Sequence, residues 1–423
     1  MSVRQHQLSG IIALFCLTAA SATARCRAAT PELVWKAKLN GRIYTAPLVC
    51  DLMPSPGLET VVCDSERRQV VCISAQGRRL WSFGEGFSAR LTSTPSAGDL
   101  DGDGRLEVLV AGGGGNLVCL RGDGSLAWRI KTDGEVDWCA PVICDLDGDG
   151  SPEIILGSAG GLHCLSATGA ERWKARQFGG VGTLPAVADL NGDGKQEIAV
   201  PVDRSLFCLD ADGNTLWQAA APVACDGVSI GDVNGDGKPE VVVTFDEGII
   251  YCLTGEGRRL WAYYGGYAGG GDNWLTPPAL GDLDGDGRLD IVVGDGSGAL
   301  RCVDHQGQER WYYLFGHPIG DGPTVGDVDG DGEPEVFVGF DDDGTVLCLN
   351  STPVIEWRFM ADFRVTASPS VADIDGDGRA EVLVASNDNY LYCLRAPGAH
   401  SSGKLPWPMR RLDAAQTGAL VGR

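Results

Sequence analysis

The chain reads Asp99-Leu100-Asp101-Gly102-Asp103-Gly104-Arg105-Leu106-Glu107 and then continues into the apolar run Val108-Leu109-Val110. This stretch places carboxylates at loop positions 1, 3, 5 and 9 and glycine at position 6. Oxygen ligands at these positions, with a glycine that permits a tight turn, suit a hard divalent cation, above all calcium. Oxygen-only donors argue against zinc or copper. The stretch therefore predicts a cation-binding loop that leads into a β-strand.

The same loop occurs seven times, at intervals of 43 to 50 residues. A fixed period with one motif per unit indicates a repeat protein, whatever the chain length alone would suggest. Asn191 and Asn234 replace the third-position Asp, which keeps an oxygen but removes a charge, so weaker binding is expected there. The predicted cation ligands are Asp99, Asp101, Asp103, Glu107, Asp145, Asp147, Asp149, Glu153, Asp189, Asn191, Asp193, Glu197, Asp232, Asn234, Asp236, Glu240, Asp282, Asp284, Asp286, Asp290, Asp327, Asp329, Asp331, Glu335, Asp373, Asp375, Asp377 and Glu381.

An eighth, eroded copy of the loop begins at Asp51 and keeps only Glu59 of the other acids. At Met53, Ser55 and Gly57 the eroded loop lacks the ligand residues or the spacing of the intact loops. Metal binding by this loop is therefore left open, and about seven calcium sites are expected in the chain.

Each unit contains four short apolar segments separated by Gly- and Asp-rich turns, without helical periodicity. Such a pattern predicts a four-stranded antiparallel meander. A lone meander cannot bury both of its faces, so eight units should stack into a closed, all-β, eight-bladed β-propeller, which also removes free sheet edges.

Two residues recur in register within the units. A Cys occurs once per repeat, and in seven repeats a Trp follows it by nine residues, as in Cys208 and Trp217. This offset places Trp on the outer strand, against a neighbouring blade. Ser402 stands where the last Trp would be, so we expect the strand of Trp35 to complete the eighth blade; Trp407 is a rival from the C-terminal side.

Composition supports this interpretation. The formal net charge is -23, and 28 of the 57 Asp and Glu residues lie at ligand positions of the acidic loops, the eroded copy included. Nothing in the sequence resembles a basic stripe, so nucleic-acid binding is disfavoured. The repeat cysteines should be small buried apolar residues, because equivalent positions of different repeats lie too far apart to bridge. A Cys63–Cys72 disulfide across a hairpin is the one pairing left open.

The N-terminus has the features of a secretory signal. Arg4 and His6 precede an apolar run from Ile11 to Ala20, and Ala22-Thr23-Ala24 forms a small-x-small cleavage site. No stretch is long enough to be a membrane span. We therefore expect residues 1–24 to be a signal peptide, 25–396 the propeller and 397–423 a C-terminal tail, with the mature chain periplasmic or extracellular.

The Asp-x-Asp-Gly-Asp-Gly loop before a strand resembles the FG-GAP or VCBS-type repeat of integrin α-chain propellers and many exported bacterial proteins. The Gly-x-x-x-Trp end of the unit, as in Gly213 to Trp217, resembles repeats of pyrroloquinoline-quinone-type (PQQ-like) propellers. The resemblance covers roughly residues 30 to 396. It implies that the acidic loop joins the first and second strands of each blade and binds calcium.

The segments between each outer Trp and the next loop should run towards the central channel. Aromatic rings beside amides and carboxylates can stack on and hydrogen-bond a sugar or a peptide. They can equally plug the channel. The candidate ligand-binding residues on this basis are Tyr267, Asp272, Asn273, Trp274, Glu135, Asp137 and Trp138.

No catalytic residue set can be singled out. Gly227-Val228-Ser229-Ile230-Gly231 matches a nucleophile-elbow pattern but is expected inside a strand rather than before a helix. The favoured hypothesis is a non-enzymatic calcium-binding module for protein or glycan. A quinoprotein-like oxidoreductase, a polysaccharide lyase and an envelope assembly scaffold stay open, and the oligomeric state is undetermined. The adjacent Cys-Cys pair typical of quinoprotein enzymes is not in the sequence.

Overall fold

The computed structural model describes residues 28–112, 114–266, 274–398 and 419–420. These residues form eight sheets, and each sheet is one blade of four antiparallel strands. The four strands are consecutive in blades 1 to 7, and the sheet of blade 5 has a fifth, parallel strand at its inner edge. The predicted eight-bladed propeller is therefore confirmed. Within the described ranges the helical content is a single 3-10 turn, Asp246–Gly248, and no helix there is long and apolar enough to cross a bilayer.

The first strand of each blade lines the centre of the wheel. Every first strand contacts the first strands of both neighbouring blades, including blade 8 with blade 1, so the ring is closed. In blade order these inner strands are Leu48–Cys50, Ser96–Gly98, Val142–Cys144, Ala186–Ala188, Cys225–Gly231, Ala279–Gly281, Thr324–Gly326 and Ser370–Ala372.

The second and third strands of each blade form its buried middle. They are rich in Val, Ile and Leu and pack on both faces between neighbouring blades, as two-sided burial requires. The second strands are Glu59–Asp64, Glu107–Gly112, Glu153–Ser158, Glu197–Val202, Glu240–Phe245, Asp290–Gly294, Glu335–Gly339 and Glu381–Ala385. The third strands are Gln69–Ile73, Asn116–Arg121, Gly161–Ser166, Ser205–Leu209, Ile249–Thr254, Ala299–Val303, Thr345–Leu349 and Tyr390–Arg395.

The outer strand of blade 8 comes from the N-terminus. Glu32–Lys38 pairs antiparallel with Tyr390–Arg395, and Trp35 lies opposite Cys393. The predicted closure by the Trp35 strand is confirmed; Trp407 lies outside the described residues. The other outer strands, from blade 1 to blade 7, are Arg79–Phe83, Leu126–Lys131, Glu171–Ala175, Thr215–Ala220, Arg259–Tyr264, Glu309–Leu314 and Ile355–Met360.

The recurring Cys and Trp face each other in the sheet. Cys208 lies opposite Trp217, and the same pairing recurs in the other blades. The Trp217 Nε1 donates to the Gly255 carbonyl of the next blade at 2.8 Å, and its ring covers Gly257. The predicted contact of each Trp with a neighbouring blade is thus present, and the repeat cysteines are buried among apolar side chains.

The Cys63–Cys72 disulfide, which the sequence left open, is not formed in the structure. In the hairpin of blade 1, Cys63 lies opposite Val70 and Cys72 lies opposite Val61, so the two cysteines do not face each other. Both are free thiols, as are the other cysteines of the described chain.

The C-terminal segment contributes a strand that the sequence did not predict. Ala419–Leu420 pairs parallel with the inner strand of blade 5, opposite Ile230 and Gly231. The chain therefore returns to the centre of the wheel after the last blade.

Candidate functional site

The acidic loops lie at one end of the wheel. Each connects the first strand of a blade to the second, and the last acid of the loop is the first residue of the second strand, as Glu107 is in blade 2. Because all first strands run the same way round the centre, all eight loops emerge at the same end. We call this end the acidic face.

The first Asp of each loop organises the backbone. In blade 2, Asp99 accepts hydrogen bonds from the N–H groups of Gly102 at 2.8 Å and Gly104 at 2.9 Å. Both glycines have positive φ, +76° and +83°, which other residues rarely adopt. The Glu107 Oε2 accepts from the Leu100 N–H at 2.9 Å, which brings the ninth position back to the first turn.

This folding brings ligand oxygens together. One oxygen of each of Asp99, Asp101 and Glu107 lies within 4.8 Å of the others, and the corresponding sets of blades 3 and 7 are alike. In blade 6 the set is Asp282, Asp284 and Asp286. Clustered carboxylates repel one another without a counter-ion, and an all-oxygen donor set of this size fits calcium. The residues present therefore fit the predicted cation.

Burial affects the charge of the ninth-position acids. It disfavours the ionised form and raises the pKa of Glu335 to about 9 and those of Glu240 and Asp290 to about 7. A bound cation would favour the ionised form of these carboxyls instead.

Three loops depart from the common pattern through their own side chains. In blades 4 and 5, Asn191 and Asn234 each donate Nδ2 to the ninth-position acid, Glu197 at 2.9 Å and Glu240 at 2.8 Å. In blade 1, the Ser55 hydroxyl donates to Glu59 Oε1 at 2.8 Å. The eroded loop is thus closed by a hydrogen bond in the place where the intact loops gather carboxylates.

A cavity of about 1060 Å³ lies at the opposite end of the wheel. The connections from outer strands to the next inner strands line it, together with two turns between second and third strands, which emerge at that end. We call it the face cavity; its polar and aromatic lining is Arg42, Tyr44, Trp138, Thr183, Asp226, Trp274, Thr276, Asp321, Asp341, Phe363, Arg364, Thr366 and Asn387.

Two of the ligand residues predicted from the sequence line this cavity. Trp138 and Trp274, from the connections that enter blades 3 and 6, both line it. Trp138 is 51% exposed and has a φ of +60°, a left-handed conformation that is rare for a bulky side chain. Strained residues of this kind cluster at ligand sites.

Asp226 connects the inner wall to the Trp274 loop. It sits at a β-bulge of the blade 5 inner strand, and its Oδ2 accepts the Leu275 N–H at 2.9 Å. Burial, aided by the nearby Asp246 carboxyl, raises the pKa of Asp226 to about 8. This carboxyl therefore offers a hydrogen-bond donor as well as an acceptor near neutral pH.

The remaining wall combines cations, an exposed ring and buried polar atoms. The guanidinium groups of Arg42 and Arg364 lie 5.4 and 5.8 Å from the centre of the Phe363 ring. The Thr366 hydroxyl and the Asn387 Oδ1 are buried and have no hydrogen-bond partner within the described ranges. Buried polar atoms normally have partners, so these two are available to a ligand.

The other predicted ligand residues are placed differently. Asp137 accepts from the Thr92 hydroxyl at 3.3 Å, and the Glu135 carbonyl accepts the Ala159 N–H. These contacts hold the connection in place. Tyr267, Asp272 and Asn273 lie outside the described residues. Sequence reasoning missed Arg42, Asp226 and Phe363, because their proximity depends on how the blades close.

The elbow-like Gly227–Gly231 segment lies within the inner strand of blade 5. Ser229 is buried and its hydroxyl donates to the Pro278 carbonyl at 2.7 Å. The match with the nucleophile pattern therefore reflects strand packing.

Several solved structures share the fold. BamB from Moraxella catarrhalis is 15% identical, with a TM-score of 0.63, over 88% of this chain and 99% of that chain. The V. cholerae biofilm matrix protein Bap1 is 16% identical, with a TM-score of 0.69, over 93% and 99%. A quinohemoprotein alcohol dehydrogenase from Comamonas testosteroni is 15% identical, with a TM-score of 0.63, over 86% and 77%. Identities this low show the fold alone.

No curated protein matches the chain in sequence. The model of the FG-GAP-like repeat, in contrast, matches residues 99–156, 145–200, 206–293 and 327–384, which together make up more than half of the chain. Those matches include all seven intact acidic loops. The chain therefore belongs to the FG-GAP-like repeat family.

Proposed function

We propose that the chain is an exported, calcium-stabilised propeller that binds a glycan or a protein segment in the face cavity without converting it. The observation that carries this proposal is that Trp138 and Trp274 line one cavity together with hydrogen-bonding groups. Ligand sites are typically concave, with aromatic walls and a few placed polar groups.

The lining favours a hydroxyl-rich ligand. Exposed rings such as Trp138 and Phe363 offer flat apolar surfaces on which a sugar ring stacks. Asp226, Thr366 and Asn387 supply donors and acceptors around them. A protein loop that carries an aromatic or polar tip would use the same groups and is the alternative ligand.

Calcium has a structural role in this proposal. Each ion would hold the end of a first strand to the start of a second strand on the acidic face, through residues such as Asp99, Asp101 and Glu107. Since the ions bind the folded chain, they stabilise it by mass action. The cavity lies at the other end of the wheel, so the ions support it without touching the ligand.

Export completes the proposal. We propose that residues 1–24 are removed as a signal peptide, that 25–396 form the propeller and 397–423 a tail, and that the mature chain works in the periplasm or outside the cell.

A glycan array tests the binding proposal. The wild-type chain is applied with calcium beside Trp138→Ala, Trp274→Ala and, as the control, Tyr264→Ala, which removes an exposed ring from an outer strand. We expect the two cavity variants to lose binding at least tenfold and the control to retain it. Equal binding by all four proteins would contradict the cavity site. Binding to a protein partner alone, lost in the same two variants, would select the alternative ligand.

A further inference from the structure

The seven intact loops are not equivalent, because in three of them an arginine contacts both the third- and the ninth-position acid. In blade 3, the Arg172 guanidinium donates Nη2 to Asp147 at 2.6 Å and Nη1 to Glu153. These are the third- and ninth-position acids of the loop. The arginine therefore spans two carboxylates that a cation would bridge.

Blade 6 repeats this arrangement. Arg310 lies 3.3 Å from Asp284 through Nη2 and contacts Asp290 through Nη1. Arg172 and Arg310 occupy the same place in their repeats, immediately before the outer-strand Trp. Both side chains thus reach the acidic face from the outer strand of their own blade.

In blade 8 an arginine on a different strand contacts the acids of the loop. Arg395, on the third strand, lies 3.2 Å from Asp375 and 3.3 Å from Asp377, and its Nε donates to Glu381 at 2.8 Å. The Glu381 side chain is fully buried. A charge buried this deeply needs a partner, and the arginine supplies it.

The other four intact loops have no arginine at the position before Trp. Ala127, Leu216 and Leu260 stand there in blades 2, 4 and 5, and Glu356 stands there in blade 7. In blade 7 the substitution reverses the charge beside a loop that already carries Asp327, Asp329 and Glu335 in one cluster.

We propose that Arg172, Arg310 and Arg395 act as built-in counter-ions, so that divalent cations are bound in blades 2, 4, 5 and 7 and not in blades 3, 6 and 8. A guanidinium fork pairs with carboxylates in a fixed geometry and keeps its charge at all working pH values. A calcium ion would need the same oxygens, so the two occupants exclude each other. This inference rests on the calcium role proposed above and assigns it to particular blades.

The test counts bound ions. The wild-type chain and Arg172→Gln are equilibrated with calcium, and bound ions are measured by elemental analysis together with thermal unfolding in calcium and in excess chelator. The control is Arg79→Gln, which removes an arginine from the outer strand of blade 1, where Arg79 donates to the Lys38 carbonyl at 3.2 Å.

At saturating calcium we expect four bound ions in the wild type and the control, and five in Arg172→Gln. The variant should melt below the wild type in chelator and recover with calcium, because an added ion replaces the lost charge. Seven ions in the wild type, or an unchanged count in Arg172→Gln, would overturn the inference while leaving the calcium role intact. A wild-type chain without bound ions would overturn both.

Discussion

The contact between each outer-strand Trp and the next blade predicts a specific coupling between two substitutions. Gly257 lies in the turn before the outer strand of blade 5, with a φ of +79°, and a Cβ added there would lie 2.5 Å from Cδ2 of Trp217 in blade 4. The left-handed conformation costs an alanine about 1–2 kcal/mol. Displacing a packed ring adds about 1–3 kcal/mol. Gly257→Ala should therefore destabilise the chain by about 3 kcal/mol.

The ring term depends on Trp217. In a Trp217→Ala background the Cβ has room, so Gly257→Ala should cost only the backbone term of about 1–2 kcal/mol. The difference between the two backgrounds is the coupling energy of a double-mutant cycle. Leu216→Ala is the control, because Leu216 precedes the Trp and is 49% exposed; we expect it to change stability by less than about 0.5 kcal/mol.

Urea unfolding of the four proteins of the cycle, in excess calcium, measures these differences. The indole hydrogen bond to Gly255 contributes about 1 kcal/mol to the cost of Trp217→Ala itself and cancels in the cycle. Equal costs of Gly257→Ala in the two backgrounds would show that the Trp does not press on the next blade, and the account of blade packing would fail.

Three further predictions concern other parts of the wheel. Ser55→Ala should destabilise the chain by about 1 kcal/mol equally in calcium and in chelator, because the Ser55–Glu59 hydrogen bond closes the blade 1 loop; a loss confined to one condition contradicts this. The second prediction concerns Asp226, because burial raises its pKa to about 8. The protonated Asp226 carboxyl therefore contributes stability that is fully present below about pH 4 and is lost as the pH rises through about 8. Asp226→Asn should thus have the melting temperature of the wild type near pH 4 and a higher one near pH 9, with the neighbouring Asp246 carboxyl present in both proteins; equal melting temperatures at both pH values would refute the shift in the pKa of Asp226. The described cysteines are buried free thiols, so a thiol reagent should label none of them in the folded chain and all thirteen after denaturation, and a shortfall of two would indicate a disulfide.

The repeat made the fold predictable from sequence. Period, loop spacing and the fixed Cys-to-Trp offset each specify local geometry, and seven copies in phase specify the wheel. The closure of the ring was predictable as well, because position 402 lacks the Trp that the repeat requires and Trp35 has no repeat Cys before it.

The cavity was predictable only in part. Trp138 and Trp274 stand out as large rings in connections that run to the centre. Asp226 reaches the cavity because of a β-bulge, and Phe363 meets Arg42, which is far from it in sequence, only because the ring closes. The strand at Ala419–Leu420 was missed because two residues carry no pattern. The arginines of the acidic face could have been found, since a charge replaces an apolar residue at a fixed place before Trp in blades 3 and 6.

Divalent cations on the acidic face are proposed to stabilise the closed wheel. Thermal unfolding of the wild-type chain across a series of free calcium concentrations tests it most directly. Binding at one hundred times the dissociation constant adds about 2.7 kcal/mol per site, so the melting temperature should rise steadily with calcium. Superimposable melting curves in saturating calcium and in excess chelator would contradict the account.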